Sequence, residues 1–129
     1  MTDTALQNVT GLDSLVRWFG RVPRFHDAKL LNIALHNNEP STLRIHAFQM
    51  TDKVDEQGHF VLEKHAVVTL SLKEVTSISL TDFGLPGIIH DLQITEASDG
   101  AQITWNSSYG VEGTLRAKRI SISLQPGKP

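Results

Sequence analysis

Hydrophobic positions recur with two different periods along this chain. Between residues 10 and 20, Leu12, Leu15, Val16 and Phe19 fall at helical spacing and form one apolar stripe. Thr10 stands where a hydroxyl can cap a first turn, Asp13 adds a carboxylate to that turn, and Gly20 followed by Pro23 supplies a stop. The pattern predicts one helix of about three turns. A helix this short needs a sheet to pack against.

From Ala28 onward the period falls to two. Leu31, Ile33 and Leu35, then Leu43, Ile45 and Ala47, alternate with polar residues on either side of the turn-forming segment 37–41. These predict an antiparallel hairpin with Asn32 near His46 on its polar face. Residues 60–72 predict a long strand whose even positions, Phe60, Leu62, Ala66, Val68, Leu70 and Leu72, face the core. Thr76, Ile78 and Leu80 suggest the next strand. Four short strands follow around Leu92 and Ile94, Ile103 and Trp105, Val111 to Leu115, and Ile120 to Leu124, with turns at 98–100 and 106–110. Segment 82–90 is apolar but carries two glycines and Pro86, which argues against a central strand. It either packs under the sheet or leaves an apolar patch exposed.

Short connections favour antiparallel pairing, because parallel neighbours need long crossovers. The expected fold class is therefore α+β, predominantly β. One N-terminal helix packs on an antiparallel sheet, or on a two-sheet sandwich, of about eight strands. Residues 1–129 are expected to form a single domain with frayed ends at about 1–9 and 125–129.

Composition narrows the function. The chain has 129 residues, 12 basic and 14 acidic side chains, and a formal net charge of -2. A dedicated nucleic-acid binder usually carries a strong basic excess, so no nucleic-acid partner is expected. No apolar run reaches the roughly 20 residues that span a bilayer, so no membrane partner is expected. The first nine residues lack a basic region and an apolar core, which predicts a cytoplasmic chain without a secretory signal. There are no cysteines, which excludes disulfides, thiol nucleophiles and zinc–cysteine sites.

Six histidines, at positions 26, 36, 46, 59, 65 and 90, raise the question of a metal. Glu63 and His65 stand two apart in a predicted strand, and His46 comes near if its strand is adjacent. His46, Glu63 and His65 are thus the weak candidates for a ligand set; outward solvated polar residues are the plainer reading. His26-Asp27 and His90-Asp91 are His-Asp dipeptides at strand starts, where the carboxylate serves to hold a turn or orient the ring. The helical setting of a His-Asp phosphohydrolase is absent. No Gly-x-Ser-x-Gly elbow or glycine-rich phosphate loop occurs, so no catalytic residue and no cofactor are expected. Arg17, Arg21, Arg24 and Lys29, and later Arg116, Lys118 and Arg119, read as solvated basic runs.

Three stretches carry a family resemblance: Trp18-Phe19-Gly20 with Pro23-Arg24-Phe25-His26-Asp27-Ala28 entering a strand; Leu43 to Phe48 leading to Met50-Thr51; and Phe60-Val61-Leu62 with Lys64 to Leu70. Together they resemble the immunity protein 50 family of bacterial polymorphic toxin systems, from about residue 12 to 124. The resemblance implies a small cytoplasmic protein that binds and neutralises a cognate toxin domain without catalysis. Immunity proteins against nucleases are often strongly acidic, and this chain is not. A binding protein needs a rigid surface with aromatic and charged anchors. Trp18, Phe25, His26 and Asp27, with the acidic loop Asp52, Asp55 and Glu56, are the candidate partner-binding residues. Two alternatives come from other classes: a ligand- or metal-binding β domain using the histidines, and a homo-oligomer joined through segment 82–90.

Overall fold

The computed structural model describes residues 9–85 and 87–129. Residues 1–8, part of the expected frayed start, and Pro86 lie outside the described residues. In chain order the elements are β1 Val9–Thr10, α1 Leu12–Phe19, β2 Lys29–Ala34, β3 Ser41–Val54, β4 Phe60–Thr81, β5 Gly87–Ala97, β6 Gly100–Tyr109 and β7 Glu112–Pro126. They form one mixed sheet in the order β1-β7-β4-β3-β2-β5-β6, in which β6 returns to pair with β7. The six strands β2 to β7 therefore close on themselves, and all their pairings are antiparallel. Only the short β1 runs parallel to its neighbour, β7. Closure leaves few free edges for edge-to-edge association. The helix-led, predominantly β architecture follows the pattern in the sequence.

The strand count differs from eight for a physical reason. Alternation slips by one at Lys73-Glu74 in β4 and, on the facing strand, at Lys118-Arg119. All four side chains are exposed, and Glu74 adopts φ 57. The ladder runs through this bend and a bulge follows between Val75 and Ser77, so each pair of expected strands is one long strand. The hairpin β2–β3 also has a different register from the one expected. Lys29, not Asn32, lies opposite His46, and Asn32 pairs with Arg44. The ladder of β7 with β4 continues to Gln125 and Pro126.

The helix starts at Leu12, one turn position later than the Thr10 cap would set it. Thr10 is instead in β1, paired with Ser121, and Gly11 occupies the cap at φ 90 with no side-chain bond. A Cβ at Gly11 would lie 2.1 Å from the Ile122 carbonyl oxygen, so close approach to β7 dictates the residue there. At the other end Gly20 takes φ 83 and its N–H donates to Val16, which is the stop read from the sequence. Leu15 and Phe19 enter the same core as Phe25, Leu30, Ile45, Val68, Leu92, Trp105 and Ile120. Within it the Trp105 indole N–H donates to the Val111 carbonyl at 3.0 Å, which satisfies its one donor.

Segment 82–90 divides between the two expectations. Ile89 is buried, whereas Phe83, Leu85 and Ile88 are exposed. The Val111 N–H donates to the Leu85 carbonyl, which holds the loop against the β6–β7 turn.

Candidate binding surface

Residues 20–28 leave the helix and turn back into β2. Phe25 and Asp27 both adopt left-handed backbone, φ 61 and 65, and the Ala28 N–H donates to the Phe25 carbonyl to close the turn. Two bonds with β5, Asp27 N–H to Ile89 and Ile89 N–H to Ala28, pin it in place. The result is an alternation by position. Phe25 and Ala28 point into the core, while His26 is exposed and Asp27 half-buried.

His26 is oriented by its neighbours. Its Nδ1 lies 2.9 Å from the His90 carbonyl oxygen, which can only accept, so Nδ1 carries the proton. Nε2 is left 3.6 Å from the Asp27 carboxylate. The His90 ring stands edge-on to His26 at 5.2 Å. Alongside, Arg24 Nε donates to Asp91 at 2.7 Å, and this carboxylate holds the guanidinium pKa above its ordinary value. The sequence reading has each dipeptide's carboxylate hold a turn or orient its ring; instead the His90 carbonyl orients His26, and the Asp91 carboxylate is taken by Arg24.

A groove of about 670 Å³ runs between this turn and β3, lined by Phe19, Phe25, His26, Phe48, Met50 and His90 among others. Beyond it the hairpin β3–β4 leaves the body of the molecule. The last core pair on these strands is Ala47 with Ala66. Neither β2 nor β7 pairs with the hairpin beyond that level. Residues 48–65 therefore form a two-stranded arm. Its base is clamped by reciprocal bonds between the helix and β4: the Trp18 indole N–H donates to the Lys64 carbonyl at 2.9 Å, and Lys64 Nζ donates to the Trp18 carbonyl at 3.0 Å.

The acidic candidates sit on this arm. Asp55 belongs to the turn itself, since one carboxylate oxygen accepts from the N–H groups of Gln57 and His59, each at 2.9 Å. Gly58, at φ 84, completes that turn. Asp52 and Glu56 are exposed and form no ion pair among the described residues. Four side chains missed in the sequence reading join them: Met50, Val54, Phe60 and Leu62 are all exposed. Phe60 and Leu62 continue the alternation of a buried strand, and the arm's separation from the body is what leaves them outside.

The histidine constellation forms only in part. His46 Nε2 and His65 Nδ1 meet at 3.0 Å, with the Phe48 ring packed against both imidazoles. Burial first, then His65, Lys29 and Lys128, push the His46 pKa down. Glu63 does not join them. A bulge at Lys64, φ 53, breaks the two-residue repeat between Glu63 and His65, and Glu63 faces Lys53 at 3.9 Å. Among the described residues no three histidines or carboxylates gather as a metal site.

Of the seven candidate binding residues, the structure leaves His26, Asp27, Asp52, Asp55 and Glu56 on the surface and commits Phe25 to the core and Trp18 to the clamp. Among the described residues no helix is long and apolar enough to cross a membrane. No curated protein and no solved structure matches the chain. The model of one family, Immunity protein 50, matches residues 12–125, which takes in the helix, the turn, the arm and nearly all of the closed sheet. The chain belongs to the immunity protein 50 family.

Proposed function

We propose that this protein is a non-enzymatic, cytoplasmic immunity protein that binds and neutralises the toxin domain of a polymorphic toxin system. The observation that carries this reading is the family match across residues 12–125. The surface supports it. The turn at His26 and Asp27 is held by backbone bonds to β5, and the arm bearing Asp52, Asp55 and Glu56 is clamped at its base by Trp18. Both present polar groups from a pre-organised frame, so little ordering entropy opposes association. Phe25 supports the surface from within.

The test is co-expression with the toxin domain encoded beside this gene. Expression of that domain alone should arrest growth, and this chain should restore growth and co-purify with it in a fixed ratio. A neighbouring product that is harmless by itself, or arrest that persists in the presence of this chain, removes the reading. The exposed Phe83, Leu85 and Tyr109 favour a second reading, a homo-oligomer joined through segment 82–90. A constant monomer mass across a hundredfold range of concentration excludes it.

A further inference from the structure

We infer that the β3–β4 arm is the anchor of the interface, and that it fits an apolar depression with a basic rim on the toxin. The inference rests on the proposed function and specifies the chemistry of the partner's surface. Three observations carry it.

The first is the cost of the arm as it stands. A two-stranded ribbon without neighbours is marginal in water. Such a ribbon is normally made soluble by polar side chains, yet this one displays Met50, Val54, Phe60 and Leu62 at 47%, 57%, 56% and 37% exposure. They meet as cross-strand pairs, Met50 with Leu62 and Val54 with Phe60. Apolar side chains gathered on a protruding element mark a contact surface.

The second is the arrangement of charge. The arm carries Asp52, Asp55, Glu56 and Glu63 against Lys53 and Lys64. Both lysines are engaged within the molecule, Lys53 near Glu63 at 3.9 Å and Lys64 on the Trp18 carbonyl. The carboxylates at positions 52, 55 and 56 are left to dominate the tip. An apolar centre edged with uncompensated carboxylates is complementary to a hydrophobic depression bordered by lysine and arginine.

The third is rigidity at the base. The reciprocal bonds between Trp18 and Lys64 fix where the ribbon leaves the body, and Met50 continues its apolar surface into the groove beside Phe48 and Phe25. An anchor held in its bound orientation loses little on docking.

The experiment measures the Kd of the purified chain for the toxin domain encoded beside it, for wild type and three variants. Met50→Ser/Phe60→Ser removes apolar surface from the arm. Asp52→Lys/Glu56→Lys reverses charge at its tip and spares the turn-forming Asp55. Phe83→Ser removes an equally exposed aromatic at the far end of β4. The arm variants should each bind at least tenfold more weakly, as truncation at the centre of an interface does. Phe83→Ser should bind as wild type. Binding of wild type should weaken as salt is raised, and this dependence should shrink or invert in the charge-reversal variant. Thermal melts of all four proteins should coincide, because the altered side chains are exposed. Wild-type capture with unchanged affinity in both arm variants overturns the inference and leaves the immunity reading standing. Loss of binding in Phe83→Ser alone places the interface at the opposite end. Absence of any wild-type binding overturns the immunity reading, and the inference with it.

Discussion

The pairing of β4 with β7 depends on a residue without a side chain, and Gly113→Ala tests that dependence. Gly113 lies in β7 where the strand is paired on both sides, with Leu80 of β4 and Trp105 of β6. A Cβ built there would fall 2.1 Å from the Ser79 carbonyl oxygen, 2.8 Å from Leu80 Cδ2 and 3.2 Å from Leu80 Cα. The nearest atom is backbone, so no rotamer change relieves the clash, and β4 and β7 must separate locally. Overpacking of this kind costs about 1–3 kcal/mol. Two ladder bonds stretched beside it add about 1 kcal/mol each. The sum is about 3–5 kcal/mol. Unfolding entropy near 2.1 cal/mol/K per residue gives about 0.27 kcal/mol/K for a chain of 129 residues. The expected fall in Tm is therefore about 11–18 °C. The control is Gly84→Ala, where nothing lies within 4 Å of the added carbon and φ is outside the left-handed range. There the smaller entropy of the unfolded chain should leave stability unchanged or raised by up to about 1 kcal/mol. Calorimetric melts together with urea midpoints at constant m-value read both effects. A Gly113→Ala protein melting within about 3 °C of wild type would refute the packing argument.

Three further outcomes follow from the same structure. Leu15→Ala empties a fully buried position between α1 and the sheet and should cost about 2–5 kcal/mol by urea unfolding; a loss under about 1 kcal/mol would mean that the helix is not packed as described. Trp18→Phe removes the donor to the Lys64 carbonyl, so stability should drop by about 1 kcal/mol while amide exchange across residues 48–65 accelerates; unchanged exchange there would show that the clamp does not hold the arm. His46 has its pKa depressed in the fold by burial, His65, Lys29 and Lys128, so its stabilising effect is complete above the unfolded value near 6.5 and is lost as pH falls from there through the folded value. Urea midpoints should decline between pH 7.5 and pH 5 more steeply in wild type than in His46→Gln, and parallel profiles would rule out this group.

Much of the fold was legible because burial leaves a period in the sequence. Leu43, Ile45 and Ala47, and Ala66 to Leu72, alternate and do face the core, and the Leu12 to Phe19 stripe is the helix. What the pattern misplaced has local causes. Alternation slips at Lys73-Glu74 and Lys118-Arg119 look like strand ends, because a one-residue shift in phase is the same signal whether the chain turns or bends. The bulge at Lys64 undid the pairing of Glu63 with His65 in the same way. Closure of β6 on β7 had no sequence signal beyond Gly100, whose missing side chain makes room for the Ala117 carbonyl of β7. The candidate surface divides along the same line. Its acidic residues were visible from composition, but Phe60 and Leu62 look like core from their spacing, and only the extent of β2 and β7 shows that neither strand covers them.

Net charge was the least informative quantity for recognition, and the structure shows why. A total of -2 describes a molecule whose charges are segregated. Asp52, Asp55 and Glu56 cluster on the arm, while Lys29 and Lys128 lie close enough to His46 to disfavour its protonation. A docking partner senses charge over roughly one Debye length, about 8 Å at physiological ionic strength, which is shorter than the arm. At that range the tip presents an acidic surface, whatever the whole chain sums to. The near-neutral total therefore carries no weight against a basic partner. It sets colloidal behaviour, whereas on the interface proposed above the choice of partner falls to the exposed carboxylates beside Phe60 and Met50.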